Sequence, residues 1–170
     1  MLSAVTRPDP PSTGDERTML TVWLDYQRAT LLWKCEELDG VALVRPGVPP
    51  SSLTLLGLVR HMAYVEWWWF EHIFSGSASP EPISTAEDRD ADFNDLDATR
   101  ATADVELFER QCDASRAIVA TAPSLDTLAA STEKPPVSLR WIMVHMIEEY
   151  ARHNGHADLL RERIDGAVGE

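Results

Sequence analysis

Residues 141–162 read WIMVHMIEEYARHNGHADLLRE, a stretch without proline whose single glycine, Gly155, is followed by further helix-forming residues. Met143, Met146, Ile147, Tyr150, Leu159 and Leu160 recur at helical spacings, which predicts one long amphipathic helix. His145, Glu149 and His153 stand at successive i, i+4 steps. At 3.6 residues per turn each step drifts only about 40° around the axis, so the three share one stripe. His156 follows His153 by three residues and stays close to that stripe. The chain has five histidines, and three of them gather here beside a carboxylate.

A solvated face explains part of the pattern. Glu148 and Arg152 form an i, i+4 pair in the favourable order, worth about 0.2–0.5 kcal/mol to a helix. The large apolar neighbours Trp141, Met146 and Tyr150 point the other way, to a helix packed against others.

Working outward, residues 51–75 offer a facing helix, with Ser51 or Ser52 as its cap and Ser75-Gly76 as its end. Leu58, His61, Val65, Trp68 and His72 fall on one stripe, which aims His61 at the bundle interior. A lone histidine on an apolar face is more often a satisfied core residue than a ligand; a facing helix with imidazoles and a carboxylate weakens that account. His72, near an acidic loop, suits a capping or surface role. Trp67, Trp68 and Trp69 lie about 100° apart and sweep most of the circumference, so at least one belongs at an edge, a pocket mouth or an interface.

The remaining segments complete an all-α, four-helix bundle. Residues 1–15 carry three of the eleven prolines and read as a flexible arm. Residues 16–38 predict a first helix through Leu20, Trp23, Leu24, Leu31, Leu32, Cys35 and Leu38, with Gly40 as its stop. Residues 76–99 read as a long acidic loop, of a length suited to a lid or the wall of a site and equally to a disordered segment. A third helix covers roughly residues 100–122, with Val105, Phe108, Cys112 and Val119 on one face, and Ser138 caps the fourth. Residues 16–166 therefore make a single domain. Such bundles build metal sites from inward side chains on facing helices. Handedness and helix order do not follow from pattern.

Composition narrows the partners. Fifteen basic against 28 acidic residues leave a formal net charge of −13, which argues against nucleic acid and anionic membrane surfaces. No run approaches the length of a membrane span and no apolar signal segment opens the chain, so a cytoplasmic location is expected. Cys35 and Cys112 lie far apart among apolar residues and read as reduced core cysteines.

The L-x2-L-x2-His61 pattern with its aromatic run, and the fourth-helix pattern from His145 through Glu149, His153 and His156, resemble the DinB-like superfamily. More narrowly, the stretch RWIMVHMIEEYARHNGHADLLRE resembles the actinobacterial mini-circle or DUF-type branch, related to mycothiol-dependent maleylpyruvate isomerase-like proteins. The resemblance spans about residues 14–166. It implies a four-helix bundle with an internal divalent metal, held by one ligand from the second helix and two, four apart, from the last. Residue by residue the implied ligands are His61, Glu149 and His153, with Glu149 standing where many members have histidine. His145 and His156 have no ligand role in that pattern and are expected to orient Glu149 and His153. Pairing into a homodimer is a further expectation of the resemblance, in keeping with the tryptophan run.

Two imidazoles and a carboxylate suit Zn²⁺, with Ni²⁺, Fe²⁺ and Mn²⁺ as alternatives. Three protein ligands leave a position open for water or for a thiol, which a metal deprotonates. Neither cysteine is placed to be that thiol, so an external one is required; the resemblance implies a mycothiol-like cosubstrate, with a small electrophilic substrate as acceptor. The expectation is a metal-dependent thiol transferase or isomerase. The alternatives are a metal-dependent hydrolase and a non-catalytic metal-binding stress or sensor module. Beyond His145, His156 and Tyr64 no general base can be singled out.

Overall fold

A computed structural model describes residues 4–83, 88 and 90–169. Every element of it is helical, and the only β-type pairing among the described residues is an isolated bridge between Leu128 and Ser138. Helix α1 spans Glu16–Trp33, a one-turn α2 Gly40–Leu43, α3 Leu55–Glu66, a one-turn α4 Ala91–Asn94, α5 Ala101–Thr121 and α6 Leu139–Asp165. A 3₁₀ turn, Ala98–Arg100, leads into α5.

Side-chain caps set the helix starts. Asp15 accepts from the Thr18 N–H, Thr54 from Gly57 and Ser138 from Trp141, each meeting a backbone donor that the first turn leaves unpaired. Thr54 thus replaces the expected Ser51 or Ser52, because its hydroxyl stands within reach of the first free N–H groups. Helix α6 stops at Gly166, whose φ of 83° lies in the left-handed region that glycine adopts without cost, and the Gly166 N–H bonds to the Glu162 carbonyl.

Two expected boundaries shift. The first helix ends at Trp33, five residues short of the expected Leu38, and a turn through Glu37 (φ 61°) follows. Gly40 opens α2 rather than stopping α1, capped by the Asp39 carboxylate. Its role is close approach: a Cβ on Gly40 would stand 2.0 Å from the Ala98 carbonyl oxygen. That contact ties the α1–α3 connection to the end of the acidic loop.

Helix α3 runs without a break into a π-helical segment, Trp67–Phe74, where the Ser75 N–H reaches back five residues to the Phe70 carbonyl. Five-residue spacing brings Trp67 and His72 ring on ring, centroids 5.2 Å apart. The change of period alters the expected stripe beyond Glu66. Leu58, Val65, Trp67 and Phe70 are buried, whereas Trp68, Trp69 and His72 are half-buried.

Helix α1 lies along α6, α6 along α3 and α3 along α5, so consecutive long helices are not all neighbours. Their inward faces form one core that includes Leu24, Leu31, Leu55, Met62, Phe70, Phe108, Met146 and Tyr150. At its middle sits a charged group. Arg28 of α1 donates Nε and Nη2 to the two oxygens of Glu66, both at 2.8 Å, and Tyr150 donates its hydroxyl to Glu66 Oε1 at 2.7 Å. No helix among the described residues is long and apolar enough to cross a membrane.

Candidate metal centre

Helix α6 displays His145, Glu149, His153 and His156 on one side, as the four-residue period requires, and α3 presents His61 across from them. The His61 and His153 rings meet edge to face with centroids 4.9 Å apart. Glu149 divides its carboxylate between two imidazoles, with Oε2 3.5 Å from His153 Nε2 and Oε1 3.7 Å from His145 Nε2. His156 Nδ1 lies 3.4 Å from His153 Nδ1. All four expected α6 residues and His61 thus belong to one cluster. His61 lies at its edge rather than deep inside, with 22% of its side chain exposed.

Two of these donors are spaced as ligands of one divalent ion would be. Two ligands of one tetrahedral ion at 2.0–2.2 Å stand about 3.4 Å apart, and the Glu149–His153 pair has that spacing. Burial, with His61, His156 and Arg152 alongside, pushes the His153 imidazole down to about 4, against a smaller upward pull from Asp92. At neutral pH the ring is therefore uncharged, the form that binds metals. With Nδ1 turned to His156, Nε2 is the nitrogen left facing Glu149.

Among the described residues, the trio whose potential ligand atoms all lie within 4.8 Å of one another is a different one, His145, Glu148 and Glu149. Glu148 is half exposed and already takes a hydrogen bond from Arg152, so this trio is also the arrangement of an ordinary charged helix face. Arg152 approaches Glu149 Oε2 as well, at 3.4 Å.

Aromatic rings flank the cluster on both sides. His145 stacks on Trp141 (centroids 5.0 Å, 23°) and meets Trp69 edge-on (4.9 Å), while Phe93 lies 5.0 Å from His61. His72 stands apart. It stacks between Trp67 and Trp68 and contacts Glu133 at 3.1 Å.

Sequence reasoning passed over Asp92, whose Oδ2 lies 2.7 Å from His61 Nδ1. It sits in the acidic loop, among so many exposed carboxylates that nothing in the local pattern marks it. Arg60, beside His61 on α3, also went unremarked.

Two cavities of about 530 and 470 Å³ open elsewhere, between α1 and α5, and neither has a histidine in its wall. Their arginines are already engaged: Arg28 with Glu66 and Asp25, Arg116 with Asp25 and Asp113, and Arg17 with the Val119 and Ala122 carbonyls. Cys35 and Cys112 are both buried, and burial pushes the Cys35 thiol up to about 12 and that of Cys112 higher still.

An all-helical bundle that gathers imidazoles and a carboxylate between two facing helices defines a DinB-like protein. The family model for mycothiol-S-transferase matches residues 19–166, and the chain belongs to that family. No curated protein and no solved structure matches the chain.

Proposed function

We propose that this protein is a metal-dependent mycothiol-type S-transferase in which His61, Glu149 and His153 hold one divalent ion, Zn²⁺ by donor preference. The observation that carries the reading is the Glu149–His153 approach of 3.5 Å opposite the His61 ring. Membership of the mycothiol-S-transferase family supports the thiol as cosubstrate.

A divalent ion held by these residues would supply positive charge that favours the thiolate form of a thiol at neutral pH. The chain's own groups do the rest. His145 beside Glu149 Oε1 and His156 beside His153 Nδ1 keep those two side chains oriented. Trp69, Trp141 and Phe93 flank the cluster and offer flat surfaces to an acceptor. The thiol proton leaves to solvent, the sulfur forms a bond to the electrophilic carbon, and the displaced group departs with the electron pair of the broken bond. The buried, protonated Cys35 and Cys112 do not serve as nucleophile, so the sulfur comes from outside the chain.

The test is metal analysis of protein purified without added metal, followed by a thiol-conjugation screen with mycothiol and a panel of electrophiles. The reading expects about one divalent ion per chain and turnover that chelation removes and zinc restores. Metal-independent turnover, or no metal uptake at micromolar zinc, would refute it.

A further inference from the structure

Helix α3 reaches the cluster through His61, and that ring is held from behind by a turn that is too short to hold itself. Helix α4 is four residues long, and a single isolated turn is unstable on its own. Three features of α3 lock it in place. Arg60, 3% exposed, donates Nε to the Asp92 carbonyl at 3.1 Å and Nη2 to the Ala91 carbonyl at 2.8 Å. Its Nη1 donates to Asp104 Oδ1 at 3.1 Å, so a second buried carboxylate holds the arginine. Gly57, one turn before Arg60, leaves room for Phe93: a Cβ there would stand 3.1 Å from Phe93 Cδ1 and 3.0 Å from the Thr54 hydroxyl.

The Asp92 side chain, 5% exposed, is thereby fixed with Oδ2 on His61 Nδ1 and Oδ1 on the Phe93 N–H. Arg60 directs its fork to two main-chain carbonyls and to Asp104, and the Asp92 carboxylate faces the imidazole.

We propose that Asp92, clamped by Arg60, is the positioning residue for His61 in the metal centre. A carboxylate accepting from Nδ1–H selects the tautomer whose Nε2 carries the lone pair and fixes the orientation of the ring. Each ligand then has its own support: Asp92 for His61, His145 for Glu149 and His156 for His153. The inference rests on the reading of His61 as a metal ligand.

The experiment measures the zinc dissociation constant by competition with a chromophoric chelator for wild type, His61→Ala, Asp92→Ala and Asp92→Asn. It adds the ¹H–¹⁵N spectrum of the imidazole N–H groups in zinc-loaded and metal-free protein. His61→Ala should lose tight binding. Asp92→Ala should weaken zinc about 10–100-fold and remove the protected His61 Nδ1–H signal. Asp92→Asn keeps the shape and lacks the charge, and should fall between wild type and alanine; it replaces the alanine variant if that one does not fold. Loss of zinc in His61→Ala with wild-type affinity in both Asp92 variants would overturn the role of Asp92 alone. Wild-type affinity in His61→Ala would overturn the ligand assignment and the positioning role with it.

Discussion

Arg28 and Glu66 join α1 to α3 through two parallel N–H···O bonds of 2.8 Å at the centre of the bundle, with 3% and 0% of the two residues exposed. Charges taken this far from water are stable only as a pair, and removing one partner leaves the other desolvated and uncompensated. Glu66→Gln is therefore expected to lower unfolding free energy by about 3–5 kcal/mol, read from the urea midpoint. A loss below about 1 kcal/mol would mean that the pair behaves like a surface ion pair.

Tyr150→Phe removes only the hydroxyl that donates to Glu66 Oε1. Because the acceptor is charged, the expected cost is about 1.5–3 kcal/mol. Cys112, whose sulfur lies 3.9 Å from the same oxygen, contributes little by comparison. Thermal melts of the two single variants and the double variant with Glu66→Gln would reveal coupling. Additive losses would contradict a shared network.

Metal binding should follow position in the cluster. His153→Ala is expected to abolish tight binding, and His145→Ala and His156→Ala to weaken it about 10–100-fold. His72→Ala should leave it unchanged, because His72 is engaged with Trp67, Trp68 and Glu133. Calorimetric titration with zinc measures all four, and equal losses for His72→Ala and His153→Ala would show that the ion is not held by the His153 stripe.

The cysteines should be inert in the folded protein. Burial holds the Cys35 thiol at about 12, so almost none is thiolate at pH 8, and Cys112 is higher still. Iodoacetamide at pH 8 is expected to label neither cysteine natively and both in denaturant, by intact mass. Thiol transfer by Cys35→Ala should still require the added thiol and proceed at the wild-type rate.

Gly40→Ala would bring a methyl group to 2.0 Å from the Ala98 carbonyl oxygen. The obstacle is backbone, so either the α2 turn or the turn before α5 has to move. A loss of about 1–3 kcal/mol is expected, as for other overpacked sites. An unchanged melting temperature would show that the α2 turn yields freely.

The helical periods of the four long segments were legible because they are local: repetition of apolar residues every three to four positions dictates which side is buried whatever lies opposite. The α6 cluster was legible for the same reason, since i, i+4 spacing alone brings His145, Glu149 and His153 to one side. Local too was the Ser138 cap of α6.

What only the tertiary structure decided involves partners distant in sequence. The neighbour order of α1, α6, α3 and α5 depends on how inward faces interlock, to which each helix contributes only its own half. Arg28 and Glu66 are 38 residues apart and look like surface charges until the core closes around both. The π-helical turn after Glu66 breaks the 3.6-residue count, so Trp68 and His72 leave the stripe that a uniform helix would give them. Asp92 is the clearest case. Thirty-one residues from His61, it becomes its partner only when Arg60 and the space beside Gly57 seat the α4 turn. A carboxylate's neighbours, not its own sequence position, decide whether it is solvated or structural.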